Sequence, residues 1–147
     1  MSRAWLVRPS ETPSDIDALR DAARVGLRFA GVGDVRTMTP REVEYAIDDS
    51  EAGDAADLRS RLLRFATELR VGDLVVVPNP REREFWLFSV TGGYEFATEP
   101  TVPGFHHTRT VDLVGWIDRG SAWLQHKLTY LDAPALVVEL RDPGWWF

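Results

Sequence analysis

The chain has 147 residues, a net charge of -6 and no cysteine. That length suits one domain spanning 1–147 with its own hydrophobic core, and the missing cysteines exclude disulfides, thiolate metal sites and cysteine nucleophiles. The acidic balance argues against bulk electrostatic capture of nucleic acid and leaves room only for a small, specific pocket. The opening "MSRAWLVRPSETPSD" carries charges and prolines where a signal peptide needs an apolar run. No apolar run approaches the roughly 20 residues that span a bilayer. A soluble, cytoplasmic protein with no membrane partner is the expectation.

In chain order, "AWLVR" reads as a first strand. "SDIDALRDAAR" reads as a helix capped by Ser14, with Asp17 as the acid of the capping box. "TPREVEYAIDD" carries a clearer start signal: Thr39 as cap, Pro40 at the first helical position and Glu42 closing the box. The acidic, small-residue stretch "DDSEAGDAAD" is expected to be flexible. A third helix through "DAADLRSRLLRFATELR" starts from a cap near Asp54 and buries Leu58, Leu62, Phe65 and Leu69, with Gly72 as its stop. Arg61 and Arg64 lie off that apolar face, as solvated charges or as weak phosphate contacts.

Most of the remaining chain alternates or is β-branched and aromatic: "LVVVP", "FWLFSVT", "YEFAT", "RTVDLVGW" and "ALVVEL". Within "VTGGYEF" the pair Gly92-Gly93 predicts a hairpin turn between two aromatic-rich arms. Helices come early and strands late without βαβ alternation. The expected class is therefore α+β, a small, largely antiparallel barrel, closed or nearly so, with about three flanking helices.

Few enzyme signatures survive inspection. "GVGDVR" has Arg36 where a dinucleotide fingerprint needs its third glycine. There is no phosphate-loop lysine motif and no nucleophile elbow. His106, His107 and His126 lack zinc-ligand spacing, so neither a metal nor another cofactor is expected. One enzymatic alternative stays open. Asp112 and Asp118 ahead of Gln125-His126-Lys127 match a metal-dependent nuclease pattern, in which carboxylates hold the ion and the lysine polarises water.

The segments "MSRAWLVRP", "FAGVGDVRTMTPREV", "LLRFATELRVGDLVVVP", "VTGGYEF" and "HTRTVDLVGW" together resemble the N-terminal domain of Mrr-type restriction endonuclease homologues. That domain is similar to the PUA-like group, which includes the EVE and YTH readers of modified bases. The resemblance implies a PUA-like barrel with a pocket for one extruded, modified nucleobase. It also implies nucleic acid as partner, DNA rather than RNA, and a sensor role in a restriction or defence system. No nuclease domain is expected in this chain, so the domain would work alone, recruit a separate nuclease effector, or be a piece of a longer protein. Two positions depart from the family pattern: Phe29 and Leu113 stand where tryptophan is usual. A PUA-like reader of RNA is the companion alternative.

Strand parity puts Val111 and Leu113 on one face and carries His107 and Arg109 to the same side, where they are expected at a barrel mouth to read a base edge. Tyr94 and Phe96 share a face by the same argument, while Phe85, Trp86 and Phe88 are expected to be packing. Trp5, Phe29 and Tyr94 are the expected walls of the pocket. Asp34 either accepts from a base amino group or caps the turn that follows it.

Overall fold

A computed structural model describes residues 3–9, 12–29, 31–50, 55–79, 84–118 and 137–140. In chain order it contains β1 (Ala4–Val7), α1 (Pro13–Asp21), β2 (Arg24–Leu27), a 3-10 turn (Val35–Thr37), α2 (Pro40–Ser50) and α3 (Ala55–Leu63). A π-helical turn (Arg64–Glu68), β3 (Leu74–Asn79), β4 (Glu84–Phe96), β5 (His107–Asp118) and β6 (Val137–Leu140) follow. The six strands form a sheet in the order β2-β5-β4-β3-β1-β6. Only β1 and β3 run parallel, and every other pairing is antiparallel. The fold is thus α+β with a mixed sheet and three helices. Among the described residues β2 and β6 are open edges, so the sheet does not close on itself.

Local chemistry explains most boundaries. Thr39 and Glu42 form the expected reciprocal box: the Thr39 amide donates to the Glu42 carboxylate at 3.0 Å and the Glu42 amide to the Thr39 hydroxyl at 3.2 Å. The first helix begins earlier than Ser14. Thr12 takes the cap position and Pro13 the first helical position, where a missing N–H costs nothing. Ala22 ends α1, and Ala23, at φ 54°, reverses the chain into β2, a strand whose four residues carry too little pattern to stand out. The expected cap at Asp54 lies outside the described residues, as does the middle of the acidic stretch before it. Gly72, at φ 95°, lets the chain leave the third helix.

One face of the sheet carries Trp5, Val7, Val75, Val77, Phe88, Val90 and Val111, and packs against Ile16, Val43, Ile47, Leu62, Phe65 and Leu69 from the helices. Leu58 is partly buried beside them, so the predicted apolar stripe of α3 is the one that packs. Each large side chain buried there contributes about 1.5–3 kcal/mol relative to exposure. The opposite face gathers Ala4, Leu6, Leu74, Val76 and Phe85.

The glycine pair does not make a turn. β4 runs unbroken through "VTGGYEF", and its pairing with β5 jumps from Val90–Val111 to Tyr94–Arg109. Residues 91–93 therefore stand opposite Thr110 alone, a wide bulge rather than a hairpin end. Glycine is needed for steric reasons: a Cβ at Gly92 would collide with the Thr110 side chain. The reversal comes after Phe96, in the Pro- and Gly-containing stretch 97–106. Val111 and Leu113 pair in regular register with Val90 and Phe88 and so share a face as expected. Leu113 is nonetheless 46% exposed where Val111 is buried, and a second register shift falls beyond it, at exposed Val114.

Candidate functional site

Three of the expected site residues meet at the β2 end of the sheet. Phe29 lies two residues past the end of β2, Tyr94 lies on β4 just past the bulge, and His107 opens β5. The His107 ring is met edge-on by Phe29 at 6.3 Å between centroids, stacked by Tyr94 at 5.9 Å and tilted against Phe96 at 5.2 Å. Phe29 and His107 are fully buried, and Tyr94 nearly so. The shared face predicted for Tyr94 and Phe96 is correct.

Hydrogen bonds fix the histidine's state. The Val32 carbonyl lies 3.1 Å from Nε2 and can only accept, so Nε2 carries the proton. Nδ1, 2.6 Å from the Tyr94 hydroxyl, then accepts from it. Burial pushes the His107 pKa down, opposed by the Val32 carbonyl that favours the protonated ring. Burial pushes the Tyr94 phenol up to about 12, so it remains a donor across the physiological range.

The depressed histidine makes stability depend on pH in a defined direction. An unfolded His107 takes up a proton near pH ~6.5, and the folded one refuses it until lower pH. Its contribution is complete above that value and fades as pH falls toward the folded-state pKa. Thermal melts from about pH 7.5 to 5.5 should therefore show a falling Tm, and His107→Gln should flatten the decline while lowering Tm throughout. A decline equally steep in the variant would assign the effect to other groups.

The loop 31–38 lies over these rings, with Val32 and Val35 buried in the main core and the Val32 amide donating to the Phe29 carbonyl at 2.9 Å. Its further hydrogen bonds run to His107 and Tyr94. They are the Val32 carbonyl on His107, the Val35 amide on the Tyr94 hydroxyl at 3.5 Å, and Arg36 Nη1 on the Tyr94 carbonyl at 3.4 Å. Asp34 caps the 3-10 turn by accepting from the Arg36 amide at 3.0 Å. It also grips the Arg36 side chain, at 2.9 Å from Nε and 2.7 Å from Nη2. These bonds hold its carboxyl below the usual range. Of the two roles considered for Asp34, the turn cap is the one observed. Arg36, not among the expected site residues, lays its guanidinium over the Tyr94 ring at 5.4 Å. The only signal it gave was its position two residues after an aspartate, within an Asx-turn.

The other expected residues lie elsewhere. Trp5 is fully buried on β1, and its indole N–H donates to Asp73 at 3.0 Å. Arg109 shares the inward face with His107 and Val111, as parity predicted, but its guanidinium runs under the sheet to backbone carbonyls of Gly92, Phe65 and Leu69. Arg64 sits beside a shallow groove with Pro40, Arg59, Ser60, Leu63, Thr67 and Glu68, and its Nε lies 3.9 Å from Glu68. Arg61 is half-buried one turn away and does not line that groove. Asp112 and Asp118 are exposed on β5, while Gln125, His126 and Lys127 lie outside the described residues. Among the described residues no group of three or more His, Asp or Glu side chains is placed to hold a metal. None of their helices is long and apolar enough to cross a membrane.

The chain belongs to the family described as a domain of unknown function (DUF8426), whose model matches residues 5–131. Among curated proteins, none matches the chain.

Proposed function

We propose that this domain binds nucleic acid and reads one flipped, modified base, in DNA rather than RNA, as the sensor of a restriction or defence system whose cleaving activity sits elsewhere. The strongly bulged sheet with helices on one face is read as the PUA-like architecture of such sensors. The observation that carries the proposal is the ring cluster of Phe29, Tyr94 and His107 lying under a short loop. That loop is tied to the cluster by four hydrogen bonds, two to Tyr94, one to His107 and one to the Phe29 carbonyl. When the loop lifts, an aromatic face and two polar atoms, the Tyr94 hydroxyl and His107 Nε2, become available to a base. Stacking and edge recognition need just this combination.

The test is a binding panel of matched single- and double-stranded DNA and RNA, with and without modified cytosine or adenine. Tyr94→Leu, once shown to fold, should weaken binding to every accepted base by about 1–3 kcal/mol, the contribution of one stacking face. His107→Gln should instead narrow the gap between modified and unmodified substrates. Folded variants that bind as the parent does would rule out the cluster as the site.

A further inference from the structure

We propose that Arg36 is the phosphate-contacting residue of the domain, gripping the phosphodiester of the nucleotide whose base is read; the proposal rests on the base-reading function above. Several arginines lie against rings or acids in this structure, but Arg36 is the one on the site. Arg20 stacks on Trp86 and Arg28 on Phe105, both away from the cluster. Arg36 lies over Tyr94, and its side chain is 57% exposed.

Its hydrogen bonds leave capacity on the solvent side. A guanidinium has five donors. Asp34 takes those of Nε and one of Nη2, and the Tyr94 carbonyl takes one of Nη1. One N–H on each terminal nitrogen remains, the two-pronged arrangement that matches a phosphate oxygen pair. Asp34 holds the side chain in place in advance, so little rotamer freedom is lost on binding. The same carboxylate screens the positive charge while the site is empty. A base arriving on the Tyr94 face displaces the guanidinium from the ring toward the backbone that carries that base. Arg36 thus couples base entry to phosphate contact, and the acidic chain does not attract nucleic acid that offers no base.

The experiment measures affinity of the full chain for the same modified and unmodified DNA and RNA oligonucleotides across a salt series. Arg36→Ala should weaken binding about three- to tenfold for modified and unmodified substrates alike, and reduce the slope of log K against log salt by roughly 0.7–0.9. Arg36→Lys should recover the slope, and Arg36→Gln, which keeps bulk over Tyr94, should behave as alanine does. Asp34→Asn should raise affinity for unmodified oligonucleotides by unmasking the charge. An unchanged slope in Arg36→Ala, with the parent still discriminating modified bases, would overturn the phosphate role and leave the base-reading function standing. Loss of discrimination without a change of slope would make Arg36 a base-edge reader instead and also overturn the proposal. A parent that binds none of the oligonucleotides would overturn both.

Discussion

Arg109→Met is expected to destabilise the domain by about 3–5 kcal/mol in urea unfolding, because a buried cation would leave three backbone carbonyls behind it. The guanidinium donates to Gly92 at 2.9 Å, Phe65 at 3.0 Å and Leu69 at 2.6 Å. Two of these carbonyls belong to the end of the third helix. There the Leu69 amide reaches back to the Arg64 carbonyl in π-helical fashion and the Arg70 amide turns away to Asp73, leaving Phe65 without a backbone donor from Arg70. A helix C-terminus collects partial negative charge, and a cation placed on its last carbonyls is favoured on both counts. The third bond holds the carbonyl at the centre of the bulge. Methionine keeps the length and the packing but supplies no donor. Lysine should recover about half of the loss by reaching the helix end alone. Amide exchange should report the local consequence, with protection falling both at 68–70 and at 90–94. A loss under about 1 kcal/mol would mean that water reaches these carbonyls, and would return Arg109 to the list of side chains free to meet a ligand.

The second large effect is expected at Asp73. This carboxylate is buried and accepts the Arg3 amide, the Arg70 amide and the Trp5 indole N–H, each at 3.0 Å. It therefore ties the start of β1, the exit of the third helix and the largest core side chain to one point. Asp73→Ala should cost about 3–4 kcal/mol, with the orphaned indole donor as the largest part. Asp73→Asn, which keeps one accepting oxygen, should cost less. Asp73 also supports the buried charge of Arg109, which burial holds below its ordinary pKa and Asp73 restores in part. The double variant Asp73→Ala, Arg109→Met should consequently cost less than the sum of the two single losses, since both end the same helix. Additive losses would show that the two residues act independently.

Much of this arrangement was legible from residue order, and the parts that were not share a cause. The Thr39–Glu42 box and the Leu58, Leu62, Phe65, Leu69 stripe are local patterns, decided within one or two turns of chain, and both stand as read. Ser14 reads as a cap because hydroxyls favour that place, but Pro13 can only sit where an N–H is not needed, and that moves the start back. Gly92-Gly93 reads identically for a turn and for a bulge. What separates them is whether Thr110 lies across from them, a relation between residues far apart in sequence. Leu113 keeps the face that parity gives it, since pairing is regular from Val111 to Leu113, but its exposure depends on what packs over that end of the sheet, which parity does not supply. The inward face of His107 and Arg109 was correctly read, but not their partners: a side chain's face follows from parity, whereas the carbonyl it meets belongs to another element. Asp73 carries no local pattern that marks it, because its partners Arg3 and Trp5 lie far away in sequence.

The bulge at 91–93 also bears on how this strand can change length. Three residues there occupy a place that one would fill, while pairing is regular on both sides, at Val90–Val111 and at Tyr94–Arg109. Chain can be deleted from that spot without sliding either arm past its partner, so the two ends of the ribbon are indexed separately. An alignment gap in relatives would be absorbed here, and Tyr94 would still face Arg109. What such a deletion cannot remove freely is the Gly92 carbonyl, one of the three that Arg109 holds, which anchors an otherwise elastic joint.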